Sequence, residues 1–199
     1  MVHDDSSIGR TRCPWCVSGN ELYVRYHDTE WGVPARDDQT QFEFLILEGA
    51  QAGLSWSTIL NKREGYRDAF AGFNAEKMAR FGKREVARLM NNAGIVRNRL
   101  KIEGAITNAR LFLEVQEAQG FGKYMWSFVG GKTIDNKLKT HKNVPATSKE
   151  SDALSKDLKK RGFKFVGSTI IYAHMQATGM VNDHRTDCFR YRACNKLGK

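Results

Sequence analysis

Apolar positions recur at helical spacing along most of the chain, and they are densest in residues 42–56, FEFLILEGAQAGLSW. Phe42, Phe44, Leu45, Ile46 and Leu47 leave little polar surface, so a helix here is buried on most of its circumference. That helix carries one carboxylate, Glu48. An acid in such surroundings needs a partner or a purpose, and at this level a salt bridge to one of the many basic residues competes with a functional role. Asp37 or Asp38 can cap the helix, and Gly49 with Gly53 weaken it beyond Glu48. Ser55 caps the next segment, with Ile59, Leu60, Tyr66 and Phe70 inward, and Asn74 caps a short helix to Arg80. Residues 83–92 put Val86, Leu89 and Met90 on one side before Gly94. From Val96 a long helix runs to Gly120 on Leu100, Ile106, Leu111, Leu113 and Val115. Residues 124–129 add a turn or two, and 130–149 are basic, polar and weakly periodic, which predicts a long loop.

Towards the C-terminus, Ser151 can cap a helix to Lys160, and Ser168 another through Ile171, Tyr172, Met175 and Gln176 to Gly179. No alternating strand pattern occurs, so the predicted fold is all-α. The connector 162–167, GFKFVG, has glycine at both ends. Two helices joined by so tight a turn expose backbone N–H groups at the start of the second, as a helix-hairpin-helix does to grip a DNA phosphate. An ordinary helical hairpin explains the same pattern.

The 199 residues, 41% of them hydrophobic, can build one sizeable core or two small lobes sharing a cleft. We expect a leader over 1–11, a single unit of two helical lobes over 12–191, and a basic tail over 192–199. Lys and Arg number 32 against 22 Asp and Glu, a net charge of +10 that favours a polyanionic partner such as nucleic acid. No window reaches the ~18–20 apolar residues of a membrane span, and acids stand where a signal peptide has its apolar core. A cytoplasmic protein without membrane contact is the expectation. The four cysteines lie in pairs at opposite ends of the chain, which in a reducing compartment suggests metal ligands or spare thiols.

Residues 12–31 gather Cys13, Trp15, Cys16, Tyr23, Tyr26, His27 and Trp31. Each aromatic alone reads as core; their mixture with polar residues suggests a pocket. Far away in sequence, His184 and Cys188 are four apart, and Cys13 with His27 offers the same two ligand types. Two thiolates and two imidazoles satisfy tetrahedral zinc, although no compact C-x-x-C plus H-x-x-x-H unit is present and spacing alone also fits unlinked buried thiols and surface histidines. The Cys13-Pro14-Trp15-Cys16 run has the spacing of a thiol redox motif but not its strand–helix context.

The segments RCPWC (12–16), ELYVRYHDTEWGVP (21–34), LEGAQAGLSW (47–56), SDALSKDLKKRGFKFVGSTIIYAHMQATG (151–179) and VNDH (181–184) together resemble the 3-methyladenine DNA glycosylase I family. The resemblance covers about residues 12–191. It implies an all-helical glycosylase of the helix-hairpin-helix superfamily with a structural zinc clip joining the two ends of the chain. Carried over position by position, it assigns the clip to Cys13, His27, His184 and Cys188, and treats Cys16 as a bystander. It assigns the base pocket to Glu48 with Trp15, Tyr23, Tyr26, Trp31 and Trp56. The sequence departs from the family pattern in the 130–149 loop and at Ala50, where glutamine is expected.

The implied reaction is hydrolysis of the N-glycosidic bond of 3-methyladenine in double-stranded DNA, releasing the free base, by a monomer. N3-methylation leaves the base cationic while attached to its sugar, so it suits aromatic faces and a carboxylate in a dry pocket. Such a base is already a good leaving group, and no lysine is placed by motif for a Schiff base, so a monofunctional enzyme without lyase activity is expected. Glu48 is then the catalytic residue, with no permanent Arg or Lys pair in the free protein. Asp183 is expected to orient His184. The DNA grip falls on Gly162, Lys164 and Gly167, and Leu54 is a candidate wedge for the gap left by the flipped nucleotide. The competing class is a non-catalytic helix-hairpin-helix DNA-binding protein.

Overall fold

A computed structural model describes residues 9–17 and 20–199. The leader expected over 1–11 therefore falls largely outside the described residues. The chain is mostly helical: α1 (Pro14–Val17), α2 (Glu21–Thr29), α3 (Asp38–Gln51), α4 (Trp56–Asn61), α5 (Arg63–Ala69), α6 (Ala75–Ala79), α7 (Lys83–Met90), α8 (Arg99–Gln119), α9 (Phe121–Ser127), α10 (Lys149–Arg161), α11 (Ser168–Ala177) and α12 (Phe189–Leu197).

Helix α3 is the central element, and α4, α8, α9 and α11 all pack on it. Asp37 caps it by accepting from the Thr40 N–H. Phe42, Leu45 and Leu47 are essentially inaccessible, and each such side chain contributes about 1.5–3 kcal/mol over an exposed one. Phe42 meets Phe112 of α8 at 4.5 Å between ring centroids. At the other side, His174 of α11 lies 2.6 Å from the Gln41 carbonyl oxygen. Burial pushes the His174 pKa down to about 3, so the neutral ring donates this bond through Nε2. The Gln41 amide in turn donates to the Ala35 carbonyl at 2.7 Å. Helices α3 and α11, which both contribute to the cavity described below, are thus fixed against each other by packing and by a buried polar link.

Helices α10 and α11 pack against each other across the short connector. Gly162 ends α10 at φ 99°, a conformation that suits glycine. The turn is held from below: Asn108 of α8 donates to the Lys164 carbonyl at 3.0 Å and accepts the Lys164 N–H at 2.8 Å. Phe165 seats on Gly104 of α8, where a Cβ would stand 3.0 Å from its ring. The loop after α3 is tied to the same helix, because Lys101 Nζ donates to the Ala50 and Ala52 carbonyls at 2.8 and 2.6 Å.

Several sequence expectations are corrected here. Ser148, not Ser151, caps α10, and Ser151 closes the reciprocal bond of a capping box. Gly167 precedes α11, so Ser168 is its first helical residue. The 130–149 segment is not a plain loop. It carries β1 (Ile134–Asp135), paired in parallel with β2 (Val181–Asn182), and a 3₁₀ turn at His141–Asn143. The expected basic tail continues α12, and Cys194 on it is fully buried.

Candidate functional site

Helix α2 sets the first wall of the site. Asn20 caps it by accepting from the Tyr23 N–H, and a spacing of three residues then places Tyr23 and Tyr26 on one face. His27, the next residue, turns the other way. Trp15 from α1 stands edge-on to Tyr23 at 5.0 Å and to Trp31 at 5.0 Å, and Tyr26 lies 5.5 Å from Trp56 of α4. These five rings and Glu48 line one cavity of about 290 Å³. All six pocket residues expected from sequence are therefore together.

Glu48 is 4% exposed, and among the described residues it makes no hydrogen bond or ion pair. Burial pushes its pKa up to about 8, because no described residue offsets the lost hydration of the carboxylate. The Tyr26 phenol is raised well above its ordinary range, first by burial and then by the neighbouring Glu48 charge. The cavity is thus apolar and aromatic, with one carboxyl held ready for a ligand. A planar ring fits between such faces, and a cationic ring gains twice, from the π-systems and from the carboxylate.

The remaining lining was not anticipated. Gln51 follows Glu48 by one turn of α3, Ala173 and Gln176 come from α11, and His141 and Val144 come from the 3₁₀ turn at the rim. The turn sits where the sequence is weakly periodic, and α11 reads as an ordinary amphipathic helix, so neither carries a local signal.

Behind the aromatic wall, Cys13, His27, His184 and Cys188 bring their ligand atoms within 4.8 Å of one another, and all four are buried. Cys188 Sγ lies 3.5 Å from His27 Nε2 and 3.6 Å from His184 Nδ1, and Cys13 Sγ lies 3.6 Å from the same Nδ1. For bonds of about 2.3 Å to sulfur and 2.0–2.1 Å to nitrogen, the nitrogen–sulfur edge of a tetrahedron is about 3.5–3.6 Å. The remaining ring nitrogens are engaged: His27 Nδ1 is 2.8 Å from Asp28, which Arg12 also binds, and His184 Nε2 is 3.0 Å from the Trp31 carbonyl. Both tautomers are thereby set to offer the inward nitrogen. Trp31 also stands edge-on to the His184 ring at 4.6 Å, so the cluster and the pocket share a wall. Cys16 is buried beside it and bonds the Cys13 carbonyl rather than joining the set.

Asp183 does not orient His184. Its carboxylate accepts from Asn136 at 2.6 Å, Tyr172 at 2.8 Å and Gln176 at 2.7 Å. The His184 backbone is instead held by Asn182, whose side chain accepts its N–H at 3.1 Å. Of the expected DNA-contacting residues, Leu54 is 38% exposed on the loop after α3, and Lys164 is exposed between the half-buried Gly162 and Gly167.

Fold and pocket together define a class: a helical protein with an aromatic pocket that carries one buried carboxyl and suits a planar, electron-poor ring. The chain belongs to the methyladenine glycosylase family, whose model matches residues 15–191. It is 50% identical over 181 residues to DNA-3-methyladenine glycosylase 1 of Escherichia coli (strain K12), covering 90% of this chain and 96% of that one. It is 46% identical over 179 residues to DNA-3-methyladenine glycosylase of Haemophilus influenzae, covering 89% and 96%. Among solved structures, 3-methyladenine DNA glycosylase I superposes with a TM-score of 0.88 at 49% identity, covering 90% and 98%. A variant of 3-methyladenine DNA glycosylase I in complex with 3-methyladenine gives 0.87 at 35%, covering 90% and 97%.

Proposed function

We propose that this protein is a DNA repair glycosylase that flips 3-methyladenine out of alkylated duplex DNA and hydrolyses its N-glycosidic bond. The observation that carries the reading is Glu48, buried and without a partner among the described residues, on a cavity of about 290 Å³ walled by five aromatic rings. A flipped, N3-methylated adenine supplies the positive charge and the exocyclic N–H that this carboxylate lacks. The enzyme need only hold a good leaving group, stabilise positive charge developing on the sugar and admit water. We assign hydrolysis without a lyase step to this site; among the described residues that line the cavity, none is a lysine. A purely DNA-binding protein would leave the cavity and its carboxylate without a role.

The DNA grip is assigned to the α10–α11 turn at Gly162, Lys164 and Gly167, in the manner of a helix-hairpin-helix, and Leu54 is assigned to the gap left by the flipped nucleotide. Cys13, His27, His184 and Cys188 would hold one Zn²⁺. Four protein ligands leave no open position, so the ion's chemistry is structural: it ties the two ends of the chain together behind the pocket. Thiolate ligands suit a reducing compartment, in keeping with the proposed cytoplasmic location. Incubation with methylated duplex DNA, followed by chromatography of the released bases, tests the reading: free 3-methyladenine without strand cleavage supports it, and no released base refutes it.

A further inference from the structure

Asp183 is 2% exposed and has three hydrogen-bond donors on its carboxylate, from Asn136, Tyr172 and Gln176. None of these donors carries a charge, and the pairing is local to β2, α11 and the segment after β1. Only one of the three, Gln176, also lines the cavity. A carboxylate accepts and does not donate, so Gln176 must present its Nε2 to Asp183, 2.7 Å from Oδ2. The amide is planar, and its other end, Oε1, has no hydrogen-bond partner among the described residues. Asp183 therefore fixes which way round this amide sits.

We propose that Asp183 is a positioning residue, and that it holds Gln176 with its carbonyl oxygen towards the base, as a second acceptor beside Glu48. The inference rests on the base-excision reading above and adds a specificity element to the same site. Two acceptors on one cavity, Glu48 from α3 and Gln176 from α11, favour a purine that brings positive charge and N–H groups. An amide turned the other way would place a donor against a cation and weaken the complex. Unlike Glu48, Gln176 needs no change of protonation to act, because its orientation is fixed through a buried neighbour rather than by charge.

The experiment measures the affinity of the zinc-loaded protein for free 3-methyladenine and for adenine by quenching of the pocket tryptophans. Asp183→Asn lets residue 183 donate, so Gln176 is free to reverse; Gln176→Leu removes the acceptor. Each is expected to weaken 3-methyladenine binding about tenfold, the scale of one lost hydrogen bond in a dry site, and to narrow the preference over adenine. The double variant is expected to bind no worse than either single one, since both act through one amide. Tyr172→Phe removes a different donor to Asp183; it is expected to lower the melting temperature and leave affinity within about twofold, which separates positioning from loss of structure. Wild-type affinity in Asp183→Asn, additive losses in the double variant, or an equal loss in Tyr172→Phe would each overturn the proposal while leaving the base-excision reading intact. Failure of the wild-type protein to bind 3-methyladenine would overturn both.

Discussion

Glu48 shows what a single residue costs and what it provides. Its proton is retained in the native protein up to about pH 8, whereas the unfolded chain releases it near 4.5. Between those values the native state binds more protons, so stability falls as pH rises. Glu48→Gln removes this dependence. Its melting temperature is expected to exceed that of the wild type by more at pH 8 than at pH 5, and scanning calorimetry giving the same difference at both would argue against a desolvated carboxyl. Glu48 was legible in the sequence because an acid on an otherwise apolar helix is conspicuous. The five rings were legible for a related reason, since they cluster within residues 15–56. Gln176, by contrast, sits on a helix whose periodicity is ordinary, and its importance comes from contacts to a cavity and to Asp183 that no local pattern announces. The misassigned role of Asp183 has the same origin: adjacency to His184 in sequence suggested a bond that the turn after β2 directs elsewhere.

Among the elements, α8 is the beam that carries the parts proposed above to contact DNA. Lys101, Gly104 and Asn108 lie on one face of it, at intervals of three and four residues. They hold, in order, the loop bearing Leu54, the Phe165 ring and the Lys164 backbone. Asn108→Ala removes the side-chain partner of the Lys164 N–H and carbonyl, both part-buried, and is expected to cost about 1 kcal/mol. Duplex affinity should fall more than affinity for free 3-methyladenine; parallel losses in gel shift and fluorescence titration would show that the turn is not a separate grip. Helix positions were readable because caps and apolar spacing are local. The shifts from Ser151 to Ser148 and from Ser168 to Gly167 arose where two candidate caps lie within one turn. The 130–149 segment was opaque because its order comes from pairing Ile134 with Val181, 47 positions on, and from a turn lodged at the cavity rim.

At the scale of the molecule, the Cys and His cluster closes the chain upon itself, joining residues 13 and 27 to 184 and 188. The four ligands were legible as residue types, and only the fold makes them a set. If the cluster holds zinc as proposed, Cys188→Ala is expected to lose that ion and about 4 kcal/mol or more of stability while changing pocket affinity far less. Elemental analysis with chemical denaturation would decide this, and a variant as stable as the wild type would deny the cluster a structural role. Because the cluster backs the same wall as the pocket through Trp31, the whole-molecule closure and the site depend on one packing arrangement. The central claim remains the pairing of a partnerless carboxylate with a cationic base. Its most direct test is the single-turnover rate of 3-methyladenine release from methylated duplex DNA by wild-type protein and Glu48→Gln. The account predicts release by the wild type and a fall of about a hundredfold in the variant; equal rates would contradict it.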